Sequence, residues 1–183
     1  GDASTAYTVK LLKDIAAPAA PTVTGTKSAT DANWYTEVTK ISGQLNDSLF
    51  AKDAMTMQYQ VVAKDGDITD EGWNPFTSES FDIPSKEYQQ GSYDYYIRIV
   101  TVDNAEKYAG TQIASAPAKV TVSYDKDAPA ELTATAVCND AEYKGTWTNQ
   151  PVTVSASATD TVSGLYGAAT GTDTAYSFYV VNG

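Results

Sequence analysis

The sequence is short of histidine, cysteine and basic residues, and each shortage excludes a class of function. With no histidine, the chain cannot assemble a Ser–His or Cys–His nucleophile. A single cysteine, Cys138, excludes an internal disulfide, and we expect it to pack as a small apolar residue on a strand. Lysine and arginine number 12 against 23 acidic residues. We therefore expect no nucleic-acid partner, because duplex binding needs clustered cations that displace counterions.

The sequence also lacks long apolar runs and has few helix-forming residues. No apolar run approaches the roughly 18 residues that suggest a membrane-spanning helix, so we expect no membrane insertion. The net charge of −11 would also be repelled by an anionic membrane surface. Leucine occurs six times, whereas threonine occurs 24 times and tyrosine 13 times. Because β-branched and aromatic residues pack well on a pleated surface, this composition predicts an all-β protein.

A stretch of seventeen residues occurs twice in related form. VKLLKDIAAPAAPTVTG spans 9–25 and VTVSYDKDAPAELTATA spans 120–136, an offset of 111 residues. A repeat of this length corresponds to one β-sandwich domain, so we expect tandem antiparallel β-sandwich repeats, one complete and one truncated. Three domains are predicted. Residues 1–17 form the terminal strand of a preceding repeat with its linker, residues 18–125 form a complete sandwich, and residues 126–183 form a truncated repeat.

The complete repeat contains several short strand patterns separated by Gly, Asn, Asp and Pro. The string MTMQYQVV alternates apolar and polar residues, which is typical of a half-buried strand. In the string SYDYYIRIVTV we expect the hydroxyl of Tyr93 or Tyr95 to bond to nearby backbone and brace a turn. The predicted strands lie at 21–25, 38–43, 55–62, 79–84, 92–102 and 118–124.

Several short motifs follow one another along the chain. They are the linker D-x-x-A-P at 14–18 and 125–129, the string G-S-Y-D-Y-Y-I-R-I-V-T-V-D-N-A at 91–105, W-T-N-x-P-V-T-V at 147–154 and the turn T-D-x-x-S-G at 159–164. In this order they resemble the immunoglobulin-like and fibronectin type III-like repeats found in tandem on Gram-positive cell-surface proteins. The resemblance implies an extracellular spacer or adhesive array, on the cell surface or secreted, and sometimes attached to carbohydrate-active enzymes. It implies no catalytic residues.

One candidate metal site is an acidic loop that follows the third predicted strand. Asp65, Asp67 and Thr69 place oxygen side chains at alternate positions, as calcium loops begin, and Asp70 follows at the sixth position. The sixth position lacks the glycine of such loops, and the twelfth, Phe76, cannot ligate a metal. The alternative is a solvated loop between strands, since D-G-D is ordinary turn chemistry.

A second candidate calcium site lies at the predicted junction between repeats. There Asp125 and Asp127 could meet Asp103 or Asn104, and a bound ion would fix the angle between neighbouring repeats. The alternative is a polar hinge in which Pro129 enforces an extended backbone. Apart from calcium at these two positions, we expect no cofactor.

The three tryptophans are candidate ligand-binding residues. Trp34 and Trp147 recur at equivalent positions of the two repeats, with an offset of 113 residues, so we expect both to pack in or near the core. Trp73 lies in the loop-like string GWNPF, where it could stack on a sugar ring. Covering the edge of the sandwich is the alternative for Trp73.

These observations favour a non-catalytic extracellular repeat region that acts as a spacer or stalk, with neighbouring repeats of the same polypeptide as its partners. The alternative is an adhesive or carbohydrate-binding module, or one accessory to a carbohydrate-active enzyme, whose partner is a host glycan or protein. A third hypothesis is a catalytic role for paired carboxylates, but glycoside cleavage needs a cleft, and a sandwich of about 100 residues offers little room for one. Because the chain opens with Gly1 rather than methionine, we expect a segment of a longer protein.

Overall fold

In the computed structural model of this chain, most of the regular structure among the described residues consists of β-strands. The model describes residues 16–45, 55–76, 81–101, 113–130 and 133–165. In these ranges the one helical element is a 3-10 turn at Ser85–Glu87, and there is no α-helix. The expectation of an all-β protein is therefore confirmed. The strands are β1 (Thr22–Lys27), β2 (Trp34–Ser42), β3 (Met55–Ala63), β4 (Asn74–Pro75), β5 (Gly91–Thr101), β6 (Ala118–Tyr124), β7 (Thr133–Cys138), β8 (Ala141–Glu142) and β9 (Thr153–Ser157).

The strands form two open sheets. One has six strands in the order β1-β2-β6-β5-β3-β4, and the other has three in the order β8-β7-β9. β3 and β5 pair antiparallel from Met55↔Thr101 to Ala63↔Tyr93, whereas β2 and β6 pair parallel, with Trp34 opposite Ser123. Two open sheets agree with the predicted β-sandwich. The immunoglobulin-like or fibronectin type III-like type and the tandem repeats stay predictions.

The chain divides into two compact units by its backbone contacts. The predicted boundary at residues 125–126 falls inside the second unit, and the predicted domain limits themselves stay a prediction. Among the described residues, the first unit comprises those within 16–24, 40–87 and 93–121, and the second those within 25–39, 88–92 and 122–165.

The core of the first unit contains side chains that β3 and β5, which are neighbouring strands, place on the same face of the sheet. Met57, Ile97 and Ile99 are completely buried, and Tyr59 is 5% exposed, as the alternation of apolar residues predicts. Tyr95 is also buried, and its hydroxyl donates to the backbone oxygen of Glu87 at 3.1 Å. The predicted tyrosine-to-backbone bond is therefore confirmed for Tyr95.

The prediction of a strand at 79–84 is wrong for the part that the structure describes. Phe81 has a φ of +48°, which turns the backbone away from an extended conformation. Asp82 forms only an isolated bridge with Ser42. Pro84 has no N–H to donate to a ladder, and the chain continues into the 3-10 turn. Residues 77–80 lie outside the described residues.

The three-stranded sheet belongs to the second unit and leaves apolar side chains exposed. β7 and β9 pair antiparallel, with Ala136 opposite Val154, and Val154 is 57% exposed. Trp147 is fully exposed, so the expectation that it packs in or near the core is wrong. Trp147 lies in an irregular segment before β9, whereas Trp34 is the first residue of β2, is half-buried and has a paired neighbour on β6.

Candidate functional site

The predicted calcium loop between β3 and β4 is held by a buried glutamine. Gln60 is 5% exposed. Its side-chain oxygen accepts from the backbone N–H of Thr69 at 2.8 Å, and its side-chain nitrogen donates to the backbone oxygen of Thr69 at 3.0 Å. The side chain thus offers Thr69 the donor and acceptor that a neighbouring strand would offer. Gln60 and Thr69 together are called the loop clamp below.

The acidic side chains of this loop are solvent-exposed. Asp65, Asp67 and Asp70 are exposed. Asp65 has a φ of +61° and donates its backbone N–H to a carboxylate oxygen of Asp94 at 3.2 Å. Within the described ranges, no group of three acidic, histidine or cysteine side chains has the arrangement of a metal site. Calcium binding by this loop stays a prediction.

Trp73 precedes β4 and lies against Arg98 of β5. The guanidinium carbon of Arg98 is 4.2 Å from the centre of the Trp73 ring, a cation–π contact. Nε and Nη2 of Arg98 donate to the side-chain oxygen of Gln58 at 2.9 and 2.7 Å. Burial lowers the pKa of Arg98, and the carboxylate of Asp70 opposes that shift. Trp73 is half-buried, and Arg98 covers one face of its ring, so a sugar could stack only on the other face.

A buried carboxylate joins β5 to β6. Asp94 is completely buried and accepts from Lys119 Nζ at 2.7 Å and from the hydroxyl of Thr121 at 2.6 Å. Burial raises the pKa of Asp94, but the bonds from Lys119, Thr121 and the Asp65 backbone outweigh burial and hold that pKa below its usual value. Asp94 is therefore a structural anion of the sheet.

The predicted linker residues are held by direct hydrogen bonds within the second unit. Asp125 is 6% exposed. Its Oδ1 accepts from the backbone N–H of Asp127 at 2.9 Å and its Oδ2 from that of Ser163 at 3.2 Å. Gln90 accepts from the backbone N–H of Lys126 at 3.0 Å and donates to Asp127 at 2.6 Å. These five residues, Gln90, Asp125, Lys126, Asp127 and Ser163, are called the junction brace below.

The turn that supplies Ser163 is itself stabilised by a carboxylate. Oδ1 of Asp160 accepts from the backbone N–H groups of Val162, Ser163 and Gly164 at 3.0 to 3.3 Å. Gly164 has a φ of +76°, a conformation that favours glycine. Burial raises the pKa of Asp160, but the backbone and hydroxyl donors together lower it by more, so the net shift is downward. The N–H of Ser163 is therefore shared between Asp160 of the turn at 3.0 Å and Asp125 of the linker at 3.2 Å.

The junction brace includes two of the residues predicted as calcium ligands at the junction. Asp125 and Asp127 are described, and Asp103 and Asn104 lie outside the described residues. Both oxygens of Asp125 accept hydrogen bonds from backbone N–H groups. A metal ion bound to these oxygens would take the place of those donors. Calcium at the junction stays a prediction, but the contacts already fix this segment without an ion.

A groove of about 280 Å³ lies in the first unit. Aromatic, proline and polar side chains line it, and they come from β3, from β4 with the residue after it, and from the segment before β5. Its lining residues are Tyr59, Asn74, Pro75, Phe76, Asp82, Pro84 and Lys86. The lining therefore combines apolar ring faces with a side-chain amide, a carboxylate and an ammonium group.

Compared with known proteins, the chain matches no protein family, no curated protein and no solved structure. Among the described residues, no helix is long and apolar enough to cross a membrane. Functional conclusions for this chain therefore depend on its own residues and contacts.

Sequence reasoning missed Gln60, Gln90 and Asp94 as structural residues. For Asp94 the signal was available, because an aspartate between tyrosines in a strongly apolar strand needs partners if it is buried. Gln60 and Gln90 give no such signal, since glutamine is common on exposed surfaces. Their bonding partners lie 9 and 36 to 37 residues away in the chain.

Proposed function

We propose that this chain is a non-catalytic spacer region of an extracellular protein, built from β-sandwich repeats and joined to further repeats of the same polypeptide. The observation that carries the proposal is the junction brace. A spacer sets a distance only if its linkers resist bending, and here the backbone N–H of Asp127 in the linker and that of Ser163 in the turn after β9 donate to one buried carboxylate, Asp125. Such bonds to an ionised acceptor are stronger than neutral ones.

The placement of the repeated sequence supports the same proposal. β1 begins at Thr22 and β7 at Thr133, which is the offset of 111 residues found in the sequence. Each of the two strands pairs with the next long strand of the chain, β1 with β2 and β7 with β9. Copies of one module would produce this recurrence.

The use of buried polar groups also supports a structural role. Asp94 and Gln60 hold strands and loops together, and the hydroxyl of Ser115 accepts from the backbone N–H of Ile99 at 3.0 Å. Among the described residues, no buried side-chain nitrogen or oxygen lacks a hydrogen-bond partner. Groups that satisfy the backbone stabilise the fold, whereas a catalytic site keeps polar groups for its substrate.

Force spectroscopy of the chain between two handles tests the proposal. A spacer built from repeats should stay folded under tension and then open in discrete steps, and a repeat of about 110 residues releases roughly 360–400 Å of chain. Smooth extension without steps of this size would contradict the proposal.

The alternative function, an adhesive or carbohydrate-binding module, is supported by the half-buried Trp73 and by the groove of the first unit. If Trp73 carries binding, Trp73→Ala should abolish retention on immobilised mucin, whereas Trp147→Ala, at a fully exposed site, should leave it unchanged. Equal retention of the parent protein, Trp73→Ala and Trp147→Ala would show that Trp73 does not carry binding.

A further inference from the structure

We propose that the groove lined by Tyr59, Asn74, Phe76, Asp82 and Lys86 binds one neutral hexose unit of a polysaccharide. This inference goes beyond the spacer function, because it gives the first unit a ligand of its own. It does not use Trp73, which does not line the groove.

The apolar part of the groove belongs to a cluster of three aromatic rings, of which Tyr59 and Phe76 line it. The rings of Tyr59 and Phe76 are 5.2 Å apart and tilted by 54°, and those of Phe76 and Phe81 are 5.7 Å apart and nearly perpendicular. The backbone N–H of Phe76 donates to the oxygen of Met57 at 3.3 Å, and that of Gly43 to the oxygen of Phe81 at 2.9 Å. Of these rings, the half-buried Phe76 lines the groove and offers an apolar surface for the C–H groups of a sugar ring, and Tyr59, which is 5% exposed, packs against it.

Phe81, next to the groove, has a backbone conformation that bulky side chains rarely adopt. Its φ is +48°, in the left-handed region that favours glycine and asparagine. Such a conformation persists only where the surroundings enforce it, and it is found often at ligand sites. At Phe81 it directs the chain so that Asp82 and Pro84 line the groove.

The polar part of the groove suits hydroxyl groups. Asn74 and Lys86 are exposed. Oδ1 of Asp82 is oriented by the hydroxyl of Ser42 at 2.6 Å and lies 3.3 Å from Lys40 Nζ. An amide supplies both donors and acceptors, a carboxylate only acceptors and an ammonium only donors. Adjacent sugar hydroxyls, which donate and accept, can use all three kinds of group.

Charge and size narrow the ligand to a neutral sugar. The lining includes one carboxylate, Asp82, and one ammonium, Lys86, so its formal charges sum to zero, and the chain as a whole carries −11, which repels anionic glycans. The volume of about 280 Å³ lies just below the range of pockets that enclose drug-sized ligands, roughly 300–1,000 Å³. A single pyranose ring fits that space.

Nuclear magnetic resonance of the whole chain tests the inference, with methyl glucoside, methyl mannoside and methyl galactoside as separate probes. We expect at least one of them to shift the backbone amide signals of Asn74, Phe76 and Lys86. We expect Asn74→Ala and Lys86→Ala each to weaken that binding about three- to tenfold, the effect of one lost hydrogen bond. The matched controls Gln44→Ala and Lys64→Ala replace exposed residues that do not line the groove and should bind as the parent does.

Two results would overturn the inference. One is the absence of shifts at these amides with every sugar. If a hexaproline peptide shifts them in that case, the groove binds a proline-rich segment instead, since rings and prolines also recognise such segments. The other is binding that is unchanged in both groove variants although their spectra show an intact fold.

Discussion

At the scale of single residues, the buried polar side chains satisfy the backbone and neighbouring strands. Asp94 is the clearest case, because a completely buried carboxylate is costly unless it is paired and hydrogen-bonded. Its donors come from a loop and from β6. Asp94 therefore contributes to stability through contacts between elements that are distant in the sequence.

Replacing Asp94 by asparagine should destabilise the fold without changing the side-chain volume. The asparagine side chain would lack the charge that pairs with Lys119. Its NH₂ group would also face the groups that donate to Asp94, namely Lys119, Thr121 and the backbone of Asp65. We expect Asp94→Asn to lower the free energy of unfolding by about 2 kcal/mol, the scale of a lost charge-assisted hydrogen bond. Urea unfolding at neutral pH measures it. Asp67→Asn, at an exposed position, is the control and should change stability by less than about 0.5 kcal/mol.

The lowered pKa values of Asp94 and Asp160 predict how stability depends on pH. Because the folded pKa of each lies below its unfolded value, each contributes stability above the unfolded value, about 3.9, and loses it as pH falls through the folded pKa. The free energy of unfolding should therefore drop with pH in the acid range, and less steeply in Asp94→Asn. Identical acid dependence of the parent and the variant would contradict the assignment to Asp94.

At the scale of elements, alternation of apolar residues predicted β3, β5 and β6 within one residue of their observed bounds. Such strands are recognisable because their burial pattern has the period of the strand itself. The short β4 and the turn at Phe81 were not predicted. β4 has two residues and depends on pairing with Gln58 and Tyr59 of β3, and Phe81 depends on contacts outside its own segment.

The loop clamp predicts a local effect in the loop between β3 and β4. Gln60→Ala removes both bonds to Thr69, so the backbone N–H of Thr69 should exchange with solvent at least tenfold faster, equivalent to about 1.4 kcal/mol or more. Hydrogen exchange followed by nuclear magnetic resonance measures this. Between the parent and Gln60→Ala, the exchange rates of amides in the middle of β5 should change much less than that of Thr69. An unchanged rate at Thr69 would show that other contacts hold the loop.

At the scale of the whole molecule, the spacer proposal depends on how firmly the linker is held. Composition predicted an all-β chain and the repeat predicted a linker, but they left a calcium site and a polar hinge as alternatives. The contacts of Gln90 and Ser163 decide how the linker is held, and those partners lie 36 to 38 residues from it in the chain. Sequence spacing alone does not reveal such pairings.

Calcium should have little effect on stability if direct hydrogen bonds hold both acidic segments. A ligand that binds the folded state raises the melting temperature. If no calcium binds, we expect the melting temperature to be the same in excess calcium and in chelator. A calcium-dependent rise that Asp65→Asn removes would place an ion in the loop, and one that Asp127→Asn removes would place it at the junction.

The most direct test of the central claim is ¹⁵N relaxation of the backbone amides of Asp127 and Ser163. If the junction brace holds the linker, both amides should have order parameters near 0.85, as in rigid backbone, and that of Asp127 should fall in Asp125→Ala, which removes its acceptor, whereas Ser163 keeps Asp160 as a second acceptor. Order parameters below about 0.6 at both amides in the parent protein would show a flexible hinge and contradict the spacer proposal.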